Sequence, residues 1–127
     1  MPLVRISLMQ GREEGFGKQV GEVVYQAMTK TMNVPARDHF QVITEHDDAH
    51  LIYDPLYLEI PRTHGVVFIQ ITLNEGRTVE VKKAFYQMVA ENLHRQLGVR
   101  LEDVFISLVE VKKENWSFGN GIAQYAQ

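Results

Sequence analysis

The sequence predicts an α/β (α+β sandwich) fold built by duplication: two β-α-β units forming a four-stranded core sheet with two helices on one face. Sliding the chain by 65 residues lays 2–45 on 67–110 without a gap, so that Ile6 falls on Ile71, Leu8 on Leu73, Gly11 on Gly76 and Arg12 on Arg77. Lys18, Val24, Val34, Asp38, Phe40 and Glu45 likewise meet Lys83, Val89, Val99, Asp103, Phe105 and Glu110. Within each half, an alternating apolar run is followed by a 3–4 apolar spacing and then by a second apolar run, the order strand, helix, strand. The 127 residues are 45% hydrophobic and 23% charged, one domain's worth of ordinary globular composition.

Each element has a local cause. Val4, Ile6 and Leu8 alternate with Arg5 and Ser7, giving a first strand with one apolar face, and Gly11 punctuates the turn. Phe16, Val20, Val23, Val24, Ala27 and Met28 make one helical stripe, and Asn33 stands where a left-handed helix end is wanted. Phe40-Gln41-Val42-Ile43 closes the first half as a strand. The second half repeats the pattern with Ile69, Ile71 and Leu73, then Gly76, then Val81, Phe85, Met88, Val89, Leu93 and Leu97, then Gly98, and finally the apolar run 104–109. The connector 46–66 holds breakers at Asp54-Pro55 and Ile60-Pro61. Its length and its Leu51, Ile52, Tyr53, Leu56, Tyr57 and Leu58 predict that it packs as a short strand or hairpin. The tail 112–127, with Trp116, Phe118, Gly119 and Gly121 close together, reads as a shaped loop, and the whole of 1–127 reads as a single domain.

A strand–helix–strand unit is a parallel, right-handed crossover. Two units supply only two helices, which can lie on one face. The other face carries Leu3, Phe68, Phe105 and Val109, and oligomerisation is the economical way to cover them.

Composition narrows the function. Lys and Arg number 13 against 16 Asp and Glu, a formal charge of −3, so no basic excess exists to neutralise a nucleic-acid backbone. Zero cysteines exclude disulfides, thiolate metal sites and cysteine nucleophiles, and fit a cytoplasmic protein. Apolar runs fall far short of a membrane span, and the start of the chain lacks a signal peptide's apolar core. Gly15-Phe16-Gly17-Lys18 has the wrong glycine spacing for a phosphate loop, so no nucleotide cofactor is implied. His46 and His50 are spaced as metal ligands on a helix, but the connector composition opposes a helix and no third ligand is specified. No metal is expected. Ser117 has no identifiable base partner, so a serine hydrolase is unsupported.

A duplicated β-α-β that begins Met-Pro and carries Leu-x-x-Gly-Arg after each first strand resembles the tautomerase superfamily. Within it, the sequence is most similar to the malonate semialdehyde decarboxylases. The similarity lies in Val34-Pro35-Ala36-Arg37-Asp38-His39-Phe40-Gln41-Val42, Glu45-His46, Phe85-Tyr86-Gln87 and Trp116-Ser117-Phe118-Gly119-Asn120-Gly121. One departure stands out. Those decarboxylases carry two arginines after the third long strand, whereas Leu73-Asn74-Glu75-Gly76-Arg77-Thr78 keeps only Arg77, with Asn74 in the first arginine's place.

The chemistry centres on Pro2. Initiator methionine is normally removed ahead of proline, and removal of Met1 would leave a free secondary amine, a group no other residue offers. Unperturbed α-amino groups titrate near about 7.7–8.0. A neutral Pro2 can take a proton α to a carbonyl; a cationic one can polarise a carbonyl; a neutral one can also condense to an electron-accepting iminium. Arg77 follows from the duplication. If the two first strands lie side by side and antiparallel, the start of one meets the end of the other, and Pro2 faces Arg77. Arg12 would then face Val67, which is mid-chain and has no amine. Arg77 is thus expected to hold a substrate carboxylate, and Arg12 to be a blind counterpart. The resemblance implies that Asp38 is the catalytic aspartate and that Trp116 and Phe118 wall the pocket, with Tyr125 as a third member. Asp103, the repeat counterpart of Asp38, supports a plainer reading of both as turn residues.

The resemblance further implies a homotrimer acting on a small carboxylate-bearing oxo acid without a cofactor. The expected reaction is decarboxylation of a 3-oxo acid such as malonate semialdehyde. Enol–keto tautomerisation, hydration or dehalogenation of 3-haloacrylates, and a non-catalytic trimeric module are the alternatives.

Overall fold

The computed structural model describes residues 2–126. In chain order it contains β1 (Leu3–Met9), α1 (Phe16–Thr31), β2 (Gln41–His46), β3 (Val67–Asn74), α2 (Val79–Leu97) and β4 (Val104–Val111). The strands form one sheet in the order β2-β1-β3-β4. β2 runs parallel to β1 and β4 parallel to β3, while β1 and β3 pair antiparallel at the centre, Leu3 opposite Thr72 and Leu8 opposite Val67. The first strands of the two halves are therefore adjacent and antiparallel.

The alternation seen in sequence sets the faces. Val4, Ile6 and Leu8 of β1 and Val67, Ile69, Ile71 and Leu73 of β3 point to one side. There they join Phe16, Val20, Val24 and Met28 of α1 and Phe85, Val89 and Leu93 of α2 in a single buried core. Both helices thus cover the same face. α1 lies close against β2: a Cβ on Gly21 would sit 2.2 Å from Gln41 Oε1, and one on Gly17 would sit 2.7 Å from Ile43 Cγ2. α2 starts at a Thr78 N-cap, whose hydroxyl accepts from the Val81 N–H, and ends at Gly98 with φ 70°, the left-handed conformation expected there. Asn33, just past α1, has φ 57°, again as expected.

The connector departs from expectation. It forms neither strand nor hairpin. Its one regular piece is a 3-10 turn, Tyr57–Glu59, in which Leu58 and Glu59 both have φ near 60°. Two successive left-handed residues reverse the chain and break any ladder. It does pack: Leu51 and Tyr53 join Met9, Val66 and Phe68 in a small second cluster on the helix-free face of the sheet. The rest of that face stays open, with Phe105 and Val109 exposed. No helix among the described residues is long and apolar enough to cross a membrane.

Candidate active site

Pro2 is buried at the start of β1. The Val4 N–H donates to the Phe40 carbonyl at 3.0 Å, and Leu3 pairs with Thr72. Carrying the β1–β2 register two residues outward from Val4–Gln41, and the β1–β3 register one residue outward from Leu3–Thr72, puts Pro2 between His39 on the β2 side and Leu73 on the β3 side. The residues flanking these neighbours are Asp38 and Asn74. The expected removal of Met1 concerns a residue outside the described ones.

α1 holds the segment that presents Asp38. The Tyr25 hydroxyl donates to the Ala36 carbonyl, and the His39 ring stacks on Tyr25 at 4.1 Å between centroids. The Asp38 N–H closes a turn onto Pro35. Burial pushes the Asp38 carboxyl up from its ordinary value; nearby positive charge, including that of Arg77, works the other way.

Arg77 leaves the turn after β3 immediately before the cap of α2. Its Nη1 donates to the Asn74 carbonyl at 3.1 Å and its Nη2 to the Met32 carbonyl at 3.3 Å. Its Nε is buried with no hydrogen-bond partner among the described residues. The guanidinium is thus tied across from the β3 turn to the end of α1, with donor capacity remaining.

The aromatic tail lies against the same turn. The Trp116 indole N–H donates to Asn74 Oδ1 at 2.8 Å, Trp116 stacks on Phe118 with centroids 5.6 Å apart, and Tyr125 meets Phe118 edge-on at 4.9 Å. Gln124 closes the loop on itself: its Oε1 accepts from the Phe118 N–H and its Nε2 donates to the Gly119 carbonyl, both at 2.9 Å. The structure brings the three aromatics named from sequence into contact with one another. Sequence reasoning missed Asn74 as their anchor, although the departure from two arginines was the visible sign, and it missed Tyr25 and Gln124, which carry no local signal.

Comparison with known proteins identifies the family. The family model described as "Tautomerase enzyme" matches residues 38–119, and a second of the same description matches 2–59. The chain belongs to the tautomerase family. It is 45% identical to "Probable tautomerase YusQ" of Bacillus subtilis (strain 168) over 124 residues, 98% of each chain. Among solved structures, a malonate semialdehyde decarboxylase inhibited by 3-bromopropiolate superimposes with a TM-score of 0.90 at 36% identity, covering 97% of this chain and 93% of the other. Another malonate semialdehyde decarboxylase superimposes at 0.89 with 29% identity, covering 97% and 95%.

The other half of the chain is arranged differently. Asp103 is 1% exposed and accepts from the Thr63 N–H at 2.8 Å and the Thr63 hydroxyl at 2.6 Å. Arg12 lies over the Phe16 ring at 4.4 Å, its Nη2 directed at the Gly65 carbonyl at 3.4 Å. A Cβ on Gly65 would be 3.0 Å from both Arg12 Nη2 and Asp103 Oδ2, so the connector backbone fills the space between them. The turn reading thus fits Asp103, whereas Asp38 has the guanidinium of Arg77 as an electrostatic neighbour.

Two regions outside the expected site also carry polar groups. A groove of 630 Å³ runs between α1 and β2, lined by Lys18, Glu22, His39 and Gln41 among others, and includes none of the expected site residues. It follows the free edge of the outermost strand, and Lys18 and Glu22 bring opposite charges to it. Its size alone is a weaker guide than the convergence on Pro2. His46 and His50 do not share a helix face: His46 ends β2 and His50 Nδ1 contacts Asp47 at 2.5 Å in the loop beyond. No group of three or more His, Asp or Glu among the described residues is placed to hold a metal.

Proposed function

We propose that this tautomerase-family enzyme decarboxylates a small 3-oxo acid of the malonate semialdehyde type, using Pro2 as its reacting group once Met1 is removed. The observation that carries the reading is the convergence at the start of β1. Pro2 is buried there, and the strand registers set it between the segment that carries Asp38 and the turn that carries Asn74 and Arg77. Arg77 binds the substrate carboxylate. Pro2 engages the oxo carbon, either polarising its oxygen as a cation or condensing with it, with loss of water, to an iminium. The bond between the carboxylate and the α-carbon breaks, CO₂ leaves, and the electron pair moves toward the polarised carbonyl or iminium. The α-carbon then takes a proton, and, on the iminium route, water releases the aldehyde. A carboxyl whose proton affinity burial has raised is suited to hold that proton, which is the role of Asp38. Trp116, Phe118 and Tyr125 exclude water and strengthen the charges they enclose.

A second reading, enol–keto tautomerisation with Pro2 as the base, draws support from Asn74 in place of an arginine and from the probable tautomerase that is 45% identical. The protein acts without a cofactor in the cytoplasm. It does so as a homotrimer, the number the family resemblance implies, with exposed Phe105 and Val109 on the covered face.

The test starts from protein shown by intact mass to lack Met1. Malonate semialdehyde should be consumed with release of CO₂ and acetaldehyde, and phenylenolpyruvate should ketonise more slowly. Reversal of that order makes the enzyme a tautomerase. Turnover of 3-haloacrylates alone makes it a hydratase or dehalogenase, and no turnover of any substrate leaves a non-catalytic module.

A further inference from the structure

Asp38 stands on a stretch that no helix or strand contains: α1 ends at Thr31 and β2 begins at Gln41. Pro35, Ala36 and Arg37 are exposed. The backbone bonds inside the stretch are local, the Asp38 N–H donating to the Pro35 carbonyl and the His39 N–H to the Arg37 carbonyl, both at 3.0 Å. Local bonds keep the shape of a turn, but its place on the protein depends on contacts to packed elements.

Two successive turns of α1 supply such contacts. The Gly21 carbonyl accepts from Gln41 Nε2 at 2.9 Å, and four residues further on the Tyr25 hydroxyl donates to the Ala36 carbonyl. That spacing puts Gly21 and Tyr25 on one face of the helix. The Tyr25 ring also stacks on His39, with centroids 4.1 Å apart and planes 13° from parallel. Val24 and Ala27 are buried in the core, so the helix that carries the ring is itself fixed. Tyr25 thus grips the chain at 36 and at 39, on both sides of Asp38.

We infer that Tyr25 is a positioning residue of the reaction: its hydroxyl and its ring hold the turn that places the Asp38 carboxyl at the start of β1. The inference rests on the proton-holding role of Asp38 proposed above and adds the residue that keeps it in place. Proton transfer needs its partners within hydrogen-bond reach, and a misplacement of about 1 Å can cost on the order of a hundredfold. Loss of the hydroxyl frees the Ala36 carbonyl, lets the turn shift and admits water to Asp38.

The test uses Met1-free protein and the best substrate of the panel. Tyr25→Phe keeps the ring and loses the hydroxyl. It should lower kcat about tenfold, leave KM within about threefold and leave circular dichroism unchanged. Asp38→Asn identifies the limb of the kcat–pH profile that Asp38 sets. Burial raises the Asp38 carboxyl, so a looser and better hydrated carboxyl titrates lower, and Tyr25→Phe should move that limb to lower pH. The other charged or titratable groups of this region are Arg77, whose charge acts on Asp38, Arg37 and His39 beside Asp38 in the chain, and Glu22 in the groove with His39; the variant keeps all of them. In the Asp38→Asn background Tyr25→Phe should cost less than about twofold more, because the carboxyl it positions is already gone. Tyr25→His, which keeps a ring to stack and falls short of the Ala36 carbonyl, replaces the phenylalanine variant if circular dichroism shows that variant unfolded. Where turnover is too slow to follow, alkylation of Pro2 by 3-bromopyruvate replaces it: the amine nitrogen displaces bromide, and intact mass reads the rate. A carboxylate held near the amine raises the amine pKa, so Tyr25→Phe and Asp38→Asn should each move the labelling profile to lower pH, and the double variant no further than Asp38→Asn.

A folded Tyr25→Phe with parental kcat and an unmoved limb or labelling profile would overturn the inference. So would an undiminished loss, about tenfold, when Tyr25→Phe is added to Asp38→Asn. Both results leave the role of Asp38 standing. Parental activity in Asp38→Asn would remove that role, and the inference with it.

Discussion

Arg77 and Arg12 occupy matching places after β3 and β1, and replacing each with alanine separates a substrate role from a structural one. The structural costs are comparable. Arg77 gives up hydrogen bonds of 3.1 and 3.3 Å to the Asn74 and Met32 carbonyls, and Arg12 gives up a 3.4 Å contact to the Gly65 carbonyl and its seat over the Phe16 ring. Each set is worth about 1–2 kcal/mol of stability. If Arg77 also binds the substrate carboxylate, Arg77→Ala should cost a further 2–3 kcal/mol or so of transition-state stabilisation, about 30- to 150-fold in kcat/KM. Arg12→Ala should cost less than about threefold by the same arithmetic. Arg77→Lys should recover only part, because lysine keeps the charge and loses the fork that reaches two carbonyls. Initial rates with the best substrate of the panel, on variants matched for folding by circular dichroism, decide it. Equal losses at the two arginines would refute the assignment of one live site.

Other perturbations probe the fold and the site. Phe85→Ala, at a fully buried position of α2, should destabilise the protein by about 3–5 kcal/mol in urea unfolding. Gly21→Ala would gain helix propensity on a surface but here drives a methyl into Gln41, so a net loss of about 1–3 kcal/mol is expected, relieved in part by a second change, Gln41→Ala. Asp38→Asn should raise Tm at pH 7 while lowering activity. A carboxyl whose folded pKa is raised binds more protons folded than unfolded, so its contribution to stability falls as pH rises from its ordinary 3.8 through the raised value. The gain in Tm should therefore fade as the buffer is taken to pH 3, and a gain that persists unchanged there would contradict burial as the cause.

Periodicity made most of the fold legible, because burial on one face leaves a mark every second residue in a strand and every third or fourth in a helix. Every stripe residue expected of α1, from Phe16 to Met28, is buried. β2 runs on through Thr44, Glu45 and His46, which carry no apolar mark, because backbone pairing to Ser7, Leu8 and Met9 sustains it. The connector illustrates the opposite limit: the apolar character of Leu51 and Tyr53 foretold packing, but neither Leu58 nor Glu59 is a residue type that marks the left-handed conformation each adopts. In the site, Pro2 could be named for the secondary amine that removal of Met1 would leave, Arg77 because the duplication sets it and not Arg12 across from Pro2, and Asp38 only through the family resemblance. The bond from Trp116 to Asn74 spans 42 residues and joins tail to turn, a pairing no local pattern encodes.

The 65-residue offset also explains how two similar halves come to differ in chemistry. In the second half, Val66 and Val67 stand where the first half has Met1 and Pro2, and both valines are fully buried. The chain runs through that position, because Thr63 and Gly65 lead into it and Thr63 occupies the Asp103 carboxylate with two hydrogen bonds. An acid, an arginine and a strand start are present in both halves. A buried strand start can offer an amine only where the chain begins, and everywhere else the preceding residues occupy the space a substrate would need. The asymmetry therefore follows from the continuity of the polypeptide. The role proposed for the carboxylate at 38 therefore has no equivalent at 103, where the counterpart is committed to holding the connector.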